Sequence, residues 1–163
     1  MRSSLPLVAA LAIALGVATP DVAGAQQSPA PAPAAYRPDL GDLMTMTVQP
    51  RHTKLGLAGA AGNWTYAAYA LHELEESFER AAKLWPKYRT YSIPDMFESV
   101  VREPMKAVED AIKAGDSARF AAAYGTLTAA CNTCHQSTER GFVVIQAPVG
   151  SPFPDQDFRP AKK

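Results

Sequence analysis

A chain of 163 residues has room for one domain, and its 47% apolar content is enough for a real core. Sixteen Lys and Arg balance sixteen Asp and Glu, so there is no basic footprint for nucleic acid and no strong field to steer a charged partner. Abundant alanine with a modest aromatic share favours helix over sheet and sets an all-α fold as the expectation.

In chain order, the first segment is an export signal over 1–25. Arg2 supplies the positive start, Leu5 to Ala18 an apolar run too short to cross a bilayer, and Ala23-Gly24-Ala25 a small-residue cleavage site. Cleavage there removes one basic and one acidic residue, Arg2 and Asp21, and leaves the charge balanced. The expected location is therefore periplasmic, with no stable membrane span. Residues 26–36 form a Pro/Ala-rich leader without large apolar side chains, so the folded domain is expected over 37–141.

Four helices are expected in that domain. Asp39 caps the first, whose apolar stripe runs through Leu40, Leu43, Met44, Val48 and Leu55; Pro50 should kink or divide it, and Gly56, Gly59 and Gly62 should close it. The second runs from an Asn63 cap to about Trp85, where Pro86 stops it. It carries Trp64, Ala67, Leu71, Leu74 and Phe78 on one face, and Glu73, Glu75, Glu76, Glu79 and Arg80 on a solvated one. After a Lys, Tyr and Arg loop, Ser92 caps a third helix, bent at Pro104 and ended by Gly115. The fourth starts at Asp116 or Ser117, carries Phe120, Tyr124 and Leu127, and is expected to end at Gly141. Short connections between four helices imply an antiparallel four-helix bundle. The extension over 142–163 holds Phe142, Val143, Val144, Ile145, Phe153 and Phe158, which marks it as strapped to the domain.

Both cysteines of the chain fall in Cys131-Asn132-Thr133-Cys134-His135, the pattern of covalent c-type haem attachment. Helical positions i, i+3 and i+4 share one face, so two thiols can reach the vinyl groups of one porphyrin while His135 takes the iron. A redox dithiol would prefer a helix N-terminus, where the dipole lowers the thiol pKa, and this pair lies late in its helix. A zinc site lacks a fourth ligand at matching spacing, with only His52 and His72 remaining. One haem c, held by Cys131 and Cys134 and ligated proximally by His135, is the expected cofactor.

The haem motif on the last of four helices, preceded by Ala114-Gly115-Asp116 and the Phe120 to Tyr124 stretch, resembles the cytochrome c-prime family over about Asp39 to Arg140. With Trp64 taken as the start of the second helix, the resemblance implies Met44 at the distal haem position. Members with an apolar residue there are five-coordinate and bind nitric oxide or carbon monoxide, whereas methionine members are six-coordinate, low-spin electron carriers. Met46, two positions away, points to another side of the helix. His52, eight residues on, is offset by about 80° on a straight helix, and a kink at Pro50 would swing it towards the haem. His72, beside Glu73, reads as a surface or helix-pairing residue. Two features depart from the family: Glu139 stands where a basic residue usually follows the haem histidine by one turn, with Arg140 after it, and the 142–163 extension is foreign to its short-ended pattern.

The function these residues imply is a periplasmic one-electron carrier with redox protein partners and no turnover of its own. No hydrolytic or transfer constellation frames the Ser, His and acidic residues. The alternatives are a five-coordinate gas-binding haem protein, or a haem subunit of a larger periplasmic oxidoreductase. Homodimerisation through the first two helices is implied by the resemblance alone.

Overall fold

The computed structural model describes residues 36–162; the segment expected to be an export signal, 1–25, and residues 26–35 of the expected leader lie outside the described residues. Described residues are mostly helical, with four helices in chain order. Helix α1 spans 40–60, helix α2 Trp64–Leu84, helix α3 93–114 and helix α4 Ser117–Ser137, with a two-stranded hairpin, β1 Lys87–Tyr88 and β2 Tyr91–Ser92, between α2 and α3. Arg89 turns that hairpin in the left-handed region at φ 53°. The hairpin is absent from the sequence reading because two-residue strands carry no periodicity.

Polar caps set the helix starts as their sequence positions imply. The Asp39 carboxylate accepts from the Asp42 amide at 2.7 Å and the Asp42 carboxylate reaches back to the Asp39 amide, a reciprocal pair that satisfies two orphan donors. Asn63, Ser92 and Asp116 cap α2, α3 and α4 in the same manner.

The two prolines inside helices neither break nor divide them. Ahead of Pro50 the backbone widens into a π-turn over Met44–Val48, and ahead of Pro104 it widens again over Phe97–Val101. The Gln49 amide accordingly donates to the Met44 carbonyl and the Arg102 amide to the Phe97 carbonyl, one residue further back than in an α-helix. A helical proline clashes with the carbonyl four residues earlier and offers it no donor. Those carbonyls belong to Met46 and Val100, each inside a widened turn. Each proline is thus accompanied by local widening within a continuous helical run.

Gly56 and Gly59 do not close α1 either. A Cβ on Gly56 would lie 2.6 Å from the Tyr124 ring and one on Gly59 would lie 2.0 Å from Phe120, so these glycines let α1 approach the aromatic face of α4. Gly62, at φ 68°, is the residue that turns the chain. Helix α4 also ends earlier than Gly141. The Thr138 hydroxyl and amide both return to the Cys134 carbonyl, and Glu139 at φ 60° takes the chain out of the helix after Ser137.

Helix α1 packs along α2 and α3 along α4, and α2 against α3 and α1 against α4 complete the contacts. Leu55, Leu74, Val108 and Leu127 are fully buried among them. An aromatic column, His52 on Tyr124 on Phe120 with Trp64 edge-on, lines the seam between α1 and α4.

The extension is strapped down as its apolar residues imply. Phe158 is buried and meets Tyr66 edge to face, and the Asn63 side chain donates to the Phe158 and Arg159 carbonyls at 3.2 Å each. Gln156 donates to the Tyr66 hydroxyl at 2.7 Å. No described helix is long and apolar enough to cross a membrane.

Candidate haem-attachment site

Cys131, Cys134 and His135 lie in the last two turns of α4 and open onto one cavity of about 340 Å³. Its far wall is the π-turn of α1, with Met44 and Val48, and the π-turn of α3 adds Phe97 and Val101. Both irregular stretches of the described helices therefore face the same space, and such widenings recur where helices serve a site. Five-residue turns leave no mark in a sequence read at 3.6-residue spacing, although a proline two or three residues downstream of each is the signal that accompanies them here.

His135 is positioned by the extension. Its Nδ1 lies 2.7 Å from the Val143 carbonyl oxygen, which accepts only, so Nδ1 carries the proton and the lone pair resides on Nε2. A histidine that donates its second nitrogen to a carbonyl is the usual arrangement of a metal ligand, fixed in tautomer and ring orientation. Asn132, between the cysteines, makes a two-way pair with Ile145: its amide donates to the Ile145 carbonyl at 2.9 Å and its carbonyl accepts from the Ile145 amide at 2.8 Å.

Both cysteines are free, half-buried thiols. Burial, then the neighbouring Cys134, pushes the Cys131 thiol up to about 11, and burial raises Cys134 as well. A dithiol redox centre needs the opposite, a stabilised thiolate in a cationic setting. The cavity reaches a polar rim at Tyr88 and Arg140, where the Arg140 guanidinium donates to the Tyr88 hydroxyl. Arg89 of the same hairpin pairs with Glu139. Glu139 is thus engaged with a hairpin arginine, and Arg140 is the cation on the cavity wall.

The remaining candidates separate clearly. Met44 is half-buried on the cavity wall, whereas Met46 is 71% exposed and does not line it. His52 lines the cavity but is held by α4: its Nε2 lies 3.0 Å from Thr128 Oγ1 and its Nδ1 3.0 Å from the Tyr124 hydroxyl. Neither ring nitrogen is left unengaged. Burial lowers its pKa from the ordinary value to about 4. His72 sits on the surface of α2 beside Glu76, at 3.5 Å, in keeping with a surface role. Met96, at the start of the α3 π-turn, also lines the cavity and was not singled out by its sequence setting. The acidic face of α2 is mostly solvated, except that Glu73 turns inward to pair with Arg51 of α1 at 3.1 Å.

Among the described residues no cluster of three or more His, Cys, Asp and Glu side chains offers an all-protein metal site. Compared with known proteins, the chain matches no family model, no curated protein and no solved structure.

Proposed function

We propose that the domain is an antiparallel four-helix bundle of cytochrome c-prime type. In this reading it carries one haem c on α4 and serves as a periplasmic one-electron carrier with His135 and Met44 as axial ligands. The observation that supports it most is a conjunction. The two thiols and the imidazole of Cys-x-x-Cys-His open into one cavity, and that imidazole already donates Nδ1 to a carbonyl, as a metal ligand does.

The residues present fit the group. Cys131 and Cys134 would hold it by thioethers, His135 would ligate through Nε2, and Phe97 and Val48 would bound it with apolar surface. Arg140 and Tyr88 at the rim supply the cation and hydroxyl suited to propionates. A cavity of about 340 Å³ lies within the range of cofactor pockets. When bound, haem iron supplies one-electron exchange, and a thioether ligand favours the ferrous form.

What this chain contributes is position and environment. Of the ligands weighed from the sequence Met44 is favoured: it is half-buried on the cavity wall, whereas Met46 faces solvent and both His52 nitrogens are engaged by α4. We prefer a carrier working with redox protein partners to a catalyst of its own. A homodimer remains part of this proposal by analogy alone.

The absorption spectrum of the chain matured with c-type haem assembly tests the reading. A low-spin oxidised spectrum with the weak sulfur-to-iron charge-transfer band is expected. A high-spin, five-coordinate spectrum with rapid stoichiometric carbon monoxide binding moves the function to gas binding, and a chain that takes up no haem refutes both.

A further inference from the structure

The Cys-x-x-Cys-His pattern leaves its two middle residues without a part in attachment, yet Asn132 is tied to a segment thirteen residues away. Its carboxamide offers one donor and one acceptor in the geometry of a peptide group, and it uses both on the backbone of Ile145, as a neighbouring strand would. Two residues upstream of that pair, the Val143 carbonyl points at His135 Nδ1. A reverse turn from the Val143 amide to the Arg140 carbonyl, at 2.8 Å, joins this segment to the end of α4.

We propose that Asn132 is a positioning residue for His135: by clamping Ile145 it holds the Val143 carbonyl where it fixes the imidazole as the Nδ1–H tautomer. The extension thereby acts as a proximal clamp on the ligand. This rests on the haem reading only for its consequence at iron; the clamp itself is a property of the chain.

Three observations carry it. First, the segment has little else to hold it there. Phe142 and Val144 are 78% and 63% exposed, and Val143 is 40% exposed, so side-chain burial contributes little to its placement. Second, the next anchors of the extension are Phe153, packed on the core beneath Lys54, and then Gln156 and Phe158 on Tyr66 and Asn63 at the start of α2, with exposed residues such as Val149 before them. The Asn132 pair is thus a local fastening, separable from the distal ones. Third, a hydrogen bond from the non-ligating nitrogen to a carbonyl is the means by which proteins set the orientation and basicity of a ligating imidazole, and its loss is felt at the metal.

The test uses the full mature chain with Asn132→Ala and Asn132→Asp, neither of which touches a thiol or the ligand. Asp keeps an acceptor for the Ile145 amide and loses the donor to its carbonyl. Two readouts are taken, hydrogen exchange of the Ile145 amide and, in the chain without haem, where no iron on Nε2 dictates the tautomer, the ring nitrogen shifts of His135 at about pH 8. Loss of two net hydrogen bonds is expected to speed Ile145 exchange in the Ala variant on the order of ten-fold, with Asp intermediate and the 156–159 amides unchanged. The Nδ1–H signal should give way to a tautomer mixture in parallel. Unchanged Ile145 exchange overturns the clamp, and faster exchange with an unchanged His135 tautomer overturns the positioning role. Failure of the chain to take up haem during c-type maturation refutes the haem reading, and movement of both readouts still leaves the clamp standing.

Discussion

Gly59→Ala sets two effects of opposite sign against each other. In an isolated helix the change gains about 1 kcal/mol, because alanine loses less backbone entropy than glycine. Here the new methyl would lie 2.0 Å from Phe120 Cε1 and Cζ, about 1.5 Å short of ordinary carbon contact. Phe120 has no room to yield: it is 3% exposed, stacked on Tyr124 at 5.7 Å and edge-on to Trp64 at 5.9 Å. Helix α1 must then move away from α4, and overpacking of that kind costs about 1–3 kcal/mol or more, enough to reverse the propensity gain. The expected outcome is a net loss of up to about 2 kcal/mol, read as a lower urea midpoint at unchanged slope. Gly125→Ala is the matched control, since a Cβ there meets nothing within 4 Å and should stabilise by about 0.5–1 kcal/mol. Phe120→Leu in the Gly59→Ala background should recover part of the loss, because the two sites are in contact. Under the proposed ligation Met44 rides on α1 and His135 on α4, so the same variant should also weaken the sulfur-to-iron band. A Gly59→Ala protein as stable as Gly125→Ala would refute the close approach of α1 to α4.

Further outcomes can be checked on the same protein. Met44→Ala should remove the sulfur-to-iron band and open the sixth position to carbon monoxide, whereas Met46→Ala, at an exposed site, should leave the spectrum unchanged. Replacing both Cys131 and Cys134 with Ala should abolish haem staining after denaturing electrophoresis, and either single change should leave one thioether and a shifted reduced band. His52 is held neutral by burial, with its folded value at about 4 and an unfolded value near 6.5. Between these the unfolded chain binds the extra proton, so the stability tied to His52 is present above about pH 6.5 and falls away towards pH 4, by up to about 1.4 kcal/mol per pH unit. His52→Gln should flatten the acid limb of a denaturation series over that window, and an unchanged limb would show that another group carries it.

The helix starts were legible because each rests on a local signal, a carboxylate, amide or hydroxyl side chain within reach of the next turn's amides. Helix interiors and ends were less so. Gly56 and Gly59 look like terminators along the chain, and only the aromatic rings of a helix some sixty residues away make them spacers. The two prolines read as kinks because the penalty they carry is local, while the widened turn upstream of each is marked by no residue type of its own.

The candidate site divides the same way. Cys131, Cys134 and His135 are adjacent in sequence, so their spacing alone places them on one face, and the cavity lies against that face. His52 was ambiguous because its placement depends on the path of α1 through Pro50; once Tyr124 and Thr128 take both its nitrogens, its polarity is spent inside the seam. The tie from Asn132 to Ile145, and through Val143 to His135, was out of reach for a different reason. Its partners are backbone groups, which every sequence has, so no residue type announces them. The apolar residues of the extension did announce that it folds back, because Phe158 has to bury its ring. What they left open was which end of the domain the extension serves, and it serves both: Phe158 fastens it at the start of α2, and Val143 delivers a carbonyl to His135.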